Sequence, residues 1–338
     1  MSTPAAASGR ILHVANGTCT TGLIAAAGLP GNTSLWADPL HDGPVPGGLS
    51  DDELVDVRTR HLTGGDDTPL DPVNDLRRWR AAIEARHTYD ELVLWYEHDL
   101  FDQLNLVQAL PWIRERLPSD AAVSLVCIGS FPGRPAFKGL GELSPSELAP
   151  LFGDRERVRH VQYALAARAW DAFRADTPEA IDELRRGDTH DLPFLSAALT
   201  RLLQEYPWTS DGLSRSERRL LSLAGHGPIR LVDALPRMTG DGTGEGDVYH
   251  VTDQALATLA GELSRTSPPL VALTSAPNAT RPLDAVLTLT DAGREVLAAR
   301  ADRVTLCGVD RWIGGVHLRG RSRIWRWDDR AQHVRRQR

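Results

Sequence analysis

Lysine is almost missing from this chain of 338 residues: Lys138 is the only one, and arginine supplies the rest of the 38 basic side chains. Cysteine is nearly as scarce. Cys19, Cys127 and Cys307 lie far apart and form no CxxC pair, which excludes a disulfide framework or zinc knot and fits a reducing compartment. Long apolar runs are also lacking. GLIAAAGL and ELVLWY fall well short of the roughly 20 residues a membrane span needs. Residues 1–9 have neither the basic start nor the apolar stretch of a secretory signal; they read as a short disordered leader, and the protein is expected in the cytoplasm.

What is present suits a folded chain. The apolar fraction of 41% is ample for a packed interior, and the length suits two domains at roughly 100–200 residues each. The net charge is −7 but uneven. Residues 311–338 hold nine arginines against Asp328 and Asp329, a local charge of +7, so residues 1–310 carry −14. Such a tail suits an acidic partner or nucleic acid, although arginine does nearly all the basic surface work throughout.

Short apolar runs alternate with helical patterns over the first 130 residues. Strands are expected at 10–14, 34–38, 91–99 and 122–129, and helices at 20–28, 50–62, 71–87 and from Leu100, with Ser50 and Asp71 as N-caps. That alternation implies an open, mostly parallel, Rossmann-like α/β sheet over residues 10–143. Residues 144–207 offer no strand candidate and read as helical, opening on a Ser144–Glu147 capping signature. From 208 to 300 three helices (SRSERRLLSLA, IRLVDALPRM, TDQALATLAGELS) precede two strands (LVALTS, AVLTLT) and the helix DAGREVLAAR, which is winged-helix order. GDGTGEGD (240–247) reads as a flexible insertion. An Arg- and Trp-rich segment, 301–338, ends the chain.

Three stretches carry a resemblance: HVANGTCTTGLIAAAGLPG, LWADPLHDGPVP and LWYEHDLFDQLNLVQAL. Together they resemble a family of bacterial proteins known only as a domain of unknown function. Its members tend to show a strand, an N-G-D-S/T turn and a helix, then a G-P-V or G-P-I loop and a W-x-E-x-D-x-x-x-Q-L segment. LPFLSAALTRLLQEYP, GLSRSERRLL, WIGGVHLRG and WRWD are similar to later parts of such proteins. The resemblance implies an architecture and no activity. This chain departs at Thr18, followed by Cys19, where the family turn has an acidic residue.

Ligands of open parallel sheets bind beyond the carboxyl ends of the strands. Those ends hold Asn16, Gly17, Thr18 and Thr20 after the first strand, and Asp38, His41 and Asp42 after the second. Glu97, His98 and Asp99 follow the third, and Gly129 and Ser130 the fourth. The Asn16-Gly17-Thr18 turn enters a helix N-terminus, where free N–H groups and the helix dipole favour an anion; the same residues also suit a tight turn with Thr20 as cap. Glu97, with Asp38 and His41, is the candidate acid–base set. Asp99 equally suits an N-cap, and Gln103 either reaches a ligand or covers the sheet edge. His13 reads as a core histidine, Cys19 as a small residue that fits its helix start, and Trp312, Trp325 and Trp327 as anchors of the tail. No metal set is assigned, and the sequence names no cofactor, reaction or oligomeric state.

Two functions follow as expectations. The first is a site for an anionic or nucleotide-like small molecule at the strand mouths, with Asn16, Thr18, Asp38, His41, Glu97 and Ser130 lining one pocket. The second is DNA binding or regulation through the winged-helix region, with a scaffold role as a third. Tight binding to duplex DNA is not favoured, because the third helix of that region sets Asp253 and Glu262 against Arg265 alone. Nor is a membrane partner expected.

Overall fold

The computed structural model describes residues 10–64, 74–135, 137–238, 251–274 and 281–337. The expected leader, the cap at Asp71 and the 240–247 insertion lie outside them. The chain divides into two units. One takes the described residues up to Arg174 together with Asp188–Leu195; the other takes Ala175–Gly187 and Ser196 onward. The stretch 144–207 is thus shared between the two.

The first unit is built in the order β1 (Ile11–Ala15), α1 (Thr18–Ala26), β2 (Asn32–Leu35), β3 (Gly43–Pro44), α2 (Asp51–Leu62), α3 (Leu76–Glu84), β4 (Glu91–Glu97), α4 (Leu100–Arg116), β5 (Ala122–Ile128), α5 (Pro145–Gly153), β6 (Glu156–Arg157) and α6 (His160–Arg174). Five strands form a mostly parallel sheet in the order β2-β1-β4-β5-β6, in which only β6 runs antiparallel. The expected four-strand parallel arrangement is therefore present. Two details differ. The second strand occupies Asn32–Leu35 rather than 34–38, and β6 lies in a stretch expected to hold no strand. Glu156 and Arg157 are both exposed, so β6 has no alternation of apolar and polar residues to announce it.

Local chemistry explains the helix starts. Ser50 and Glu53 close a capping box on α2, as Ser144 and Glu147 do on α5. Asp99 accepts from the Asp102 N–H at the head of α4. Side chains along β4 alternate between two buried faces. Val93 and Trp95 join Ile11, Ile24, Val126 and Leu140 in one apolar cluster, while Leu92, Leu94 and Tyr96 are buried on the other side. Helix α6 packs on α4.

The second unit contains α7 (Glu179–Arg186), α8 (Leu195–Leu203, in this unit from Ser196), α9 (Arg215–Gly225), β7 (Ile229–Arg230), α10 (Leu231–Met238), α11 (Asp253–Arg265), β8 (Val271–Thr274), β9 (Val286–Leu289), α12 (Asp291–Leu297) and α13 (Arg303–Cys307). Strands β7, β9 and β8 make an antiparallel sheet, and Leu220, Leu256, Leu263, Leu287 and Val296 lie in one core. Two hairpins follow: β10 (Val309–Gly314) with β11 (Val316–Gly320), and β12 (Trp325–Asp328) with β13 (His333–Arg336). Trp327 is fully buried, and Trp312 stacks on His317. No helix among the described residues is long and apolar enough to cross a membrane.

Candidate functional site

Strand β1 ends at Ala15 and β4 at Glu97, next to each other in the sheet, so Asn16 and the Glu97 side chain meet at its carboxyl edge. Alternation puts Glu97 on the Trp95 face. There its Oε1 accepts from Asn16 Nδ2 at 3.2 Å and from the Leu140 backbone N–H at 2.5 Å. The second amide hydrogen of Asn16 goes to Asp102 Oδ2 at 3.0 Å, and Thr20 Oγ1 donates to Asn16 Oδ1 at 2.8 Å. Asp102 Oδ2 also accepts from the Glu97 N–H at 2.6 Å. One asparagine thus bridges two buried carboxyl groups and ties them to the first turn of α1.

These carboxyl groups do not ionise like surface acids. Burial, then the charge of Asp99, pushes the Glu97 carboxyl up to about 7. Burial, followed by Asp99 and Glu97, holds Asp102 well above the usual carboxylate range. Asp102 Oδ1 is buried without a hydrogen-bond partner, whereas Oδ2 accepts two N–H groups. Gln103 donates to the Glu97 carbonyl at 2.6 Å, and burial also raises the Cys127 thiol beside it.

Gly139 closes over Glu97. A Cβ at that position would lie 2.0 Å from Glu97 Oε2. Gly139→Ala therefore has to expel the carboxylate from its bond to Leu140. The expected cost is about 1–3 kcal/mol, read as a lower urea midpoint at unchanged slope.

Several expected site residues go elsewhere. Asp38 is buried, but its carboxylate grips Arg58 Nε and Nη2 at 2.7–3.1 Å, while its backbone N–H and C=O bond to Asn105. His41 sits edge-on to Phe101 at 6.1 Å. Thr18 and Ser130 are exposed, and the Glu97 carboxylate bonds to Asn16 and Leu140 instead. Gly17 is the N-cap of α1 with no side-chain cap, and nothing lies within 4 Å of where its Cβ would stand. Asp99 caps α4 from a buried position. Of the expected set, Asn16, Thr20, Glu97, Asp99 and Gln103 come together. Asp102, Gly139 and the Leu140 N–H join them without having been expected. The signal for Asp102 is its place three residues after an Asp cap, in the first turn of a helix that begins just beyond Glu97.

His13 is a core histidine with its tautomer fixed. Nδ1 accepts from Trp95 Nε1 at 3.0 Å, so Nε2 carries the hydrogen and donates to the Pro30 carbonyl at 3.1 Å. Burial holds its pKa below the ordinary value.

A cavity of ≈ 310 Å³ opens beside the edge of β5, lined by Cys127, Ile128, Arg159, Asp191 and Phe194. Gln103 is its one lining residue from the expected set. Its Arg159 and Asp191 pair with each other at 2.7 Å. Among the described residues, no group of three or more His, Cys, Asp or Glu is placed to hold a metal ion. Neither a protein-family model nor a curated protein matches the chain.

Proposed function

We propose that the first unit is Rossmann-like and binds an anionic or nucleotide-like small molecule at the carboxyl edge of its sheet, with the Glu97–Asp102 pair as acid–base group. The observation that carries this reading is the strand order. From β1 the chain turns outward to β2 and then crosses back to β4, so the topological switch point falls between β1 and β4. Open α/β sheets bind ligands in the crevice there, and it is where Asn16 and Glu97 meet. The N-terminus of α1 opens on the same edge with uncrowded Gly17, suited to an anion. A carboxyl group with a pKa of about 7 is matched to proton transfer near neutrality.

The second reading is a winged-helix DNA-binding module in residues 208–300, favoured by the succession from α9 to α12 around the β7-β9-β8 sheet. It ranks lower because several of its arginines are engaged within the chain. Arg218 pairs with Asp211, Arg219 bonds the Arg237 carbonyl, and Arg230 and Arg281 share Asp284. One thermal-shift screen separates the readings, since a ligand of the native state raises its melting temperature by mass action. Nucleotides, sugar phosphates and a duplex oligonucleotide are compared on the wild type and Asn16→Ala. A small anion that raises the melting temperature of the wild type more than that of Asn16→Ala is expected. Stabilisation by the duplex alone transfers the assignment to the second reading.

A further inference from the structure

The second unit has a separate concentration of cations. Hairpin register sets Arg326 opposite Arg335 and Trp325 opposite Arg336. Two clefts open there, of ≈ 560 and ≈ 460 Å³, and both are lined by Thr209 and Arg335. The first adds Arg326 and Arg336, and the second adds Ser210, Arg218 and Arg330.

These arginines divide into two groups by what they already bond. Arg326 is buried and saturated: its Nη1 and Nη2 reach Asp302 at 2.7 and 3.0 Å, and Gln337 and the Trp208 carbonyl take further bonds. Arg218 lies 4.7 Å over the Trp208 ring and pairs with Asp211 and Ser210. Both build the floor. Arg330, Arg335 and Arg336 are exposed. Arg335 meets Asp328 at 3.3 Å, and Arg336 bonds the Arg323 carbonyl through its Nε at 3.4 Å. No side-chain bond of Arg330 is found among the described residues. Its position is set by the turn in which Asp328 accepts the Arg330 and Ala331 N–H groups.

We infer that these two clefts, which share Thr209 and Arg335, bind compact phosphate-bearing anions such as pyrophosphate, held by Arg335 and Arg336 in the first and by Arg330 and Arg335 in the second, with the Thr209 hydroxyl. Guanidinium forks match phosphate oxygens two at a time, and a concave cationic surface focuses the field on a small anion. Asp302, Asp328 and Asp329 stand in the same walls, so the cationic surface is broken into short patches and not the continuous track a phosphate backbone follows. The inference does not rest on the proposed site in the first unit.

The test is calorimetric titration of the full chain with pyrophosphate at near-physiological salt. Arg335→Gln/Arg336→Gln, Arg330→Gln and Asn16→Ala are titrated beside the wild type, with a single-stranded oligonucleotide as a second titrant. Saturable binding of pyrophosphate is expected, unchanged in Asn16→Ala. Loss of charge-assisted bonds should weaken it about ten- to a hundredfold in the double variant. Arg330→Gln, which removes no bond seen within the fold, should weaken it in the same direction and guards against misfolding of the double variant. Absence of saturable binding, or equal binding by the arginine variants, overturns the inference. So does arginine-dependent binding of the oligonucleotide without binding of pyrophosphate.

Discussion

Glu97→Gln is expected to stabilise the protein at pH 8 by about 3 kcal/mol and to flatten its stability between pH 5 and 8. The sign follows from linkage. Folding raises the Glu97 carboxyl from an ordinary 4.5 to about 7, so across that interval the native state holds a proton that the unfolded chain has released. The stabilising contribution is complete below about 4.5, declines as pH rises, and is lost above about 7. A shift of that size corresponds to about 3 kcal/mol, an upper figure because Asp102 shares the titration. Glutamine keeps an acceptor for Leu140 and Asn16 and cannot ionise. Urea unfolding at intervals from pH 5 to 9 measures the effect. If the variant is less stable at every pH, the Glu97 carboxyl is not raised in the fold and the linkage argument is wrong.

Arg58→Ala is expected to destabilise the fold by about 3–5 kcal/mol. Both partners of the Arg58–Asp38 pair are almost wholly buried, 1% and 4% exposed in their side chains, and removal of the cation leaves an uncompensated carboxylate. Arg58 also donates to the carbonyls of Pro39 and Asp42, which lose those bonds. The double variant Arg58→Met/Asp38→Leu removes both charges and should recover much of the loss, though not the part due to the carbonyls. Thermal or urea denaturation reads both. A double variant no better than Arg58→Ala would show that the carbonyl bonds, and not the buried charge, set the cost. Either way Asp38 acts as a structural tie for the loop after β2.

That role of Asp38 marks the limit of reading strand ends from sequence. The parallel sheet was legible because β1, β4 and β5 are continuous apolar runs separated by capped helices, and Asp99 and Ser144 cap the helices that their spacing predicts. Asn16 and Glu97 were legible as neighbours because each directly follows or ends such a strand. Asp38 was not, since β2 ends at Leu35 and the next residues leave the ladder to meet α2 and α4. Gly139 and Leu140 were illegible for a different reason. Their role is a close approach in space between a loop and a carboxylate 43 residues earlier, and one sequence holds no trace of it. The hairpins of 309–336 were not expected, although Val316–Gly320 alternates buried and exposed residues; four- to six-residue strands rich in arginine read as a charged tail.

The sheet of the first unit ends in β2 on one side and β6 on the other. β2 spans four residues, with Asn32 and Thr33 exposed; β6 spans two, both charged and exposed. An unpaired strand edge is a template on which a second molecule can add a strand, and it recruits best when long, flat and apolar. Neither border has those properties, and the reversed direction of β6 withholds a parallel template beside Ser124 and Leu125. The apolar strands β1, β4 and β5 thus lie between short polar borders, which oppose the addition of a further strand at β2 and β6.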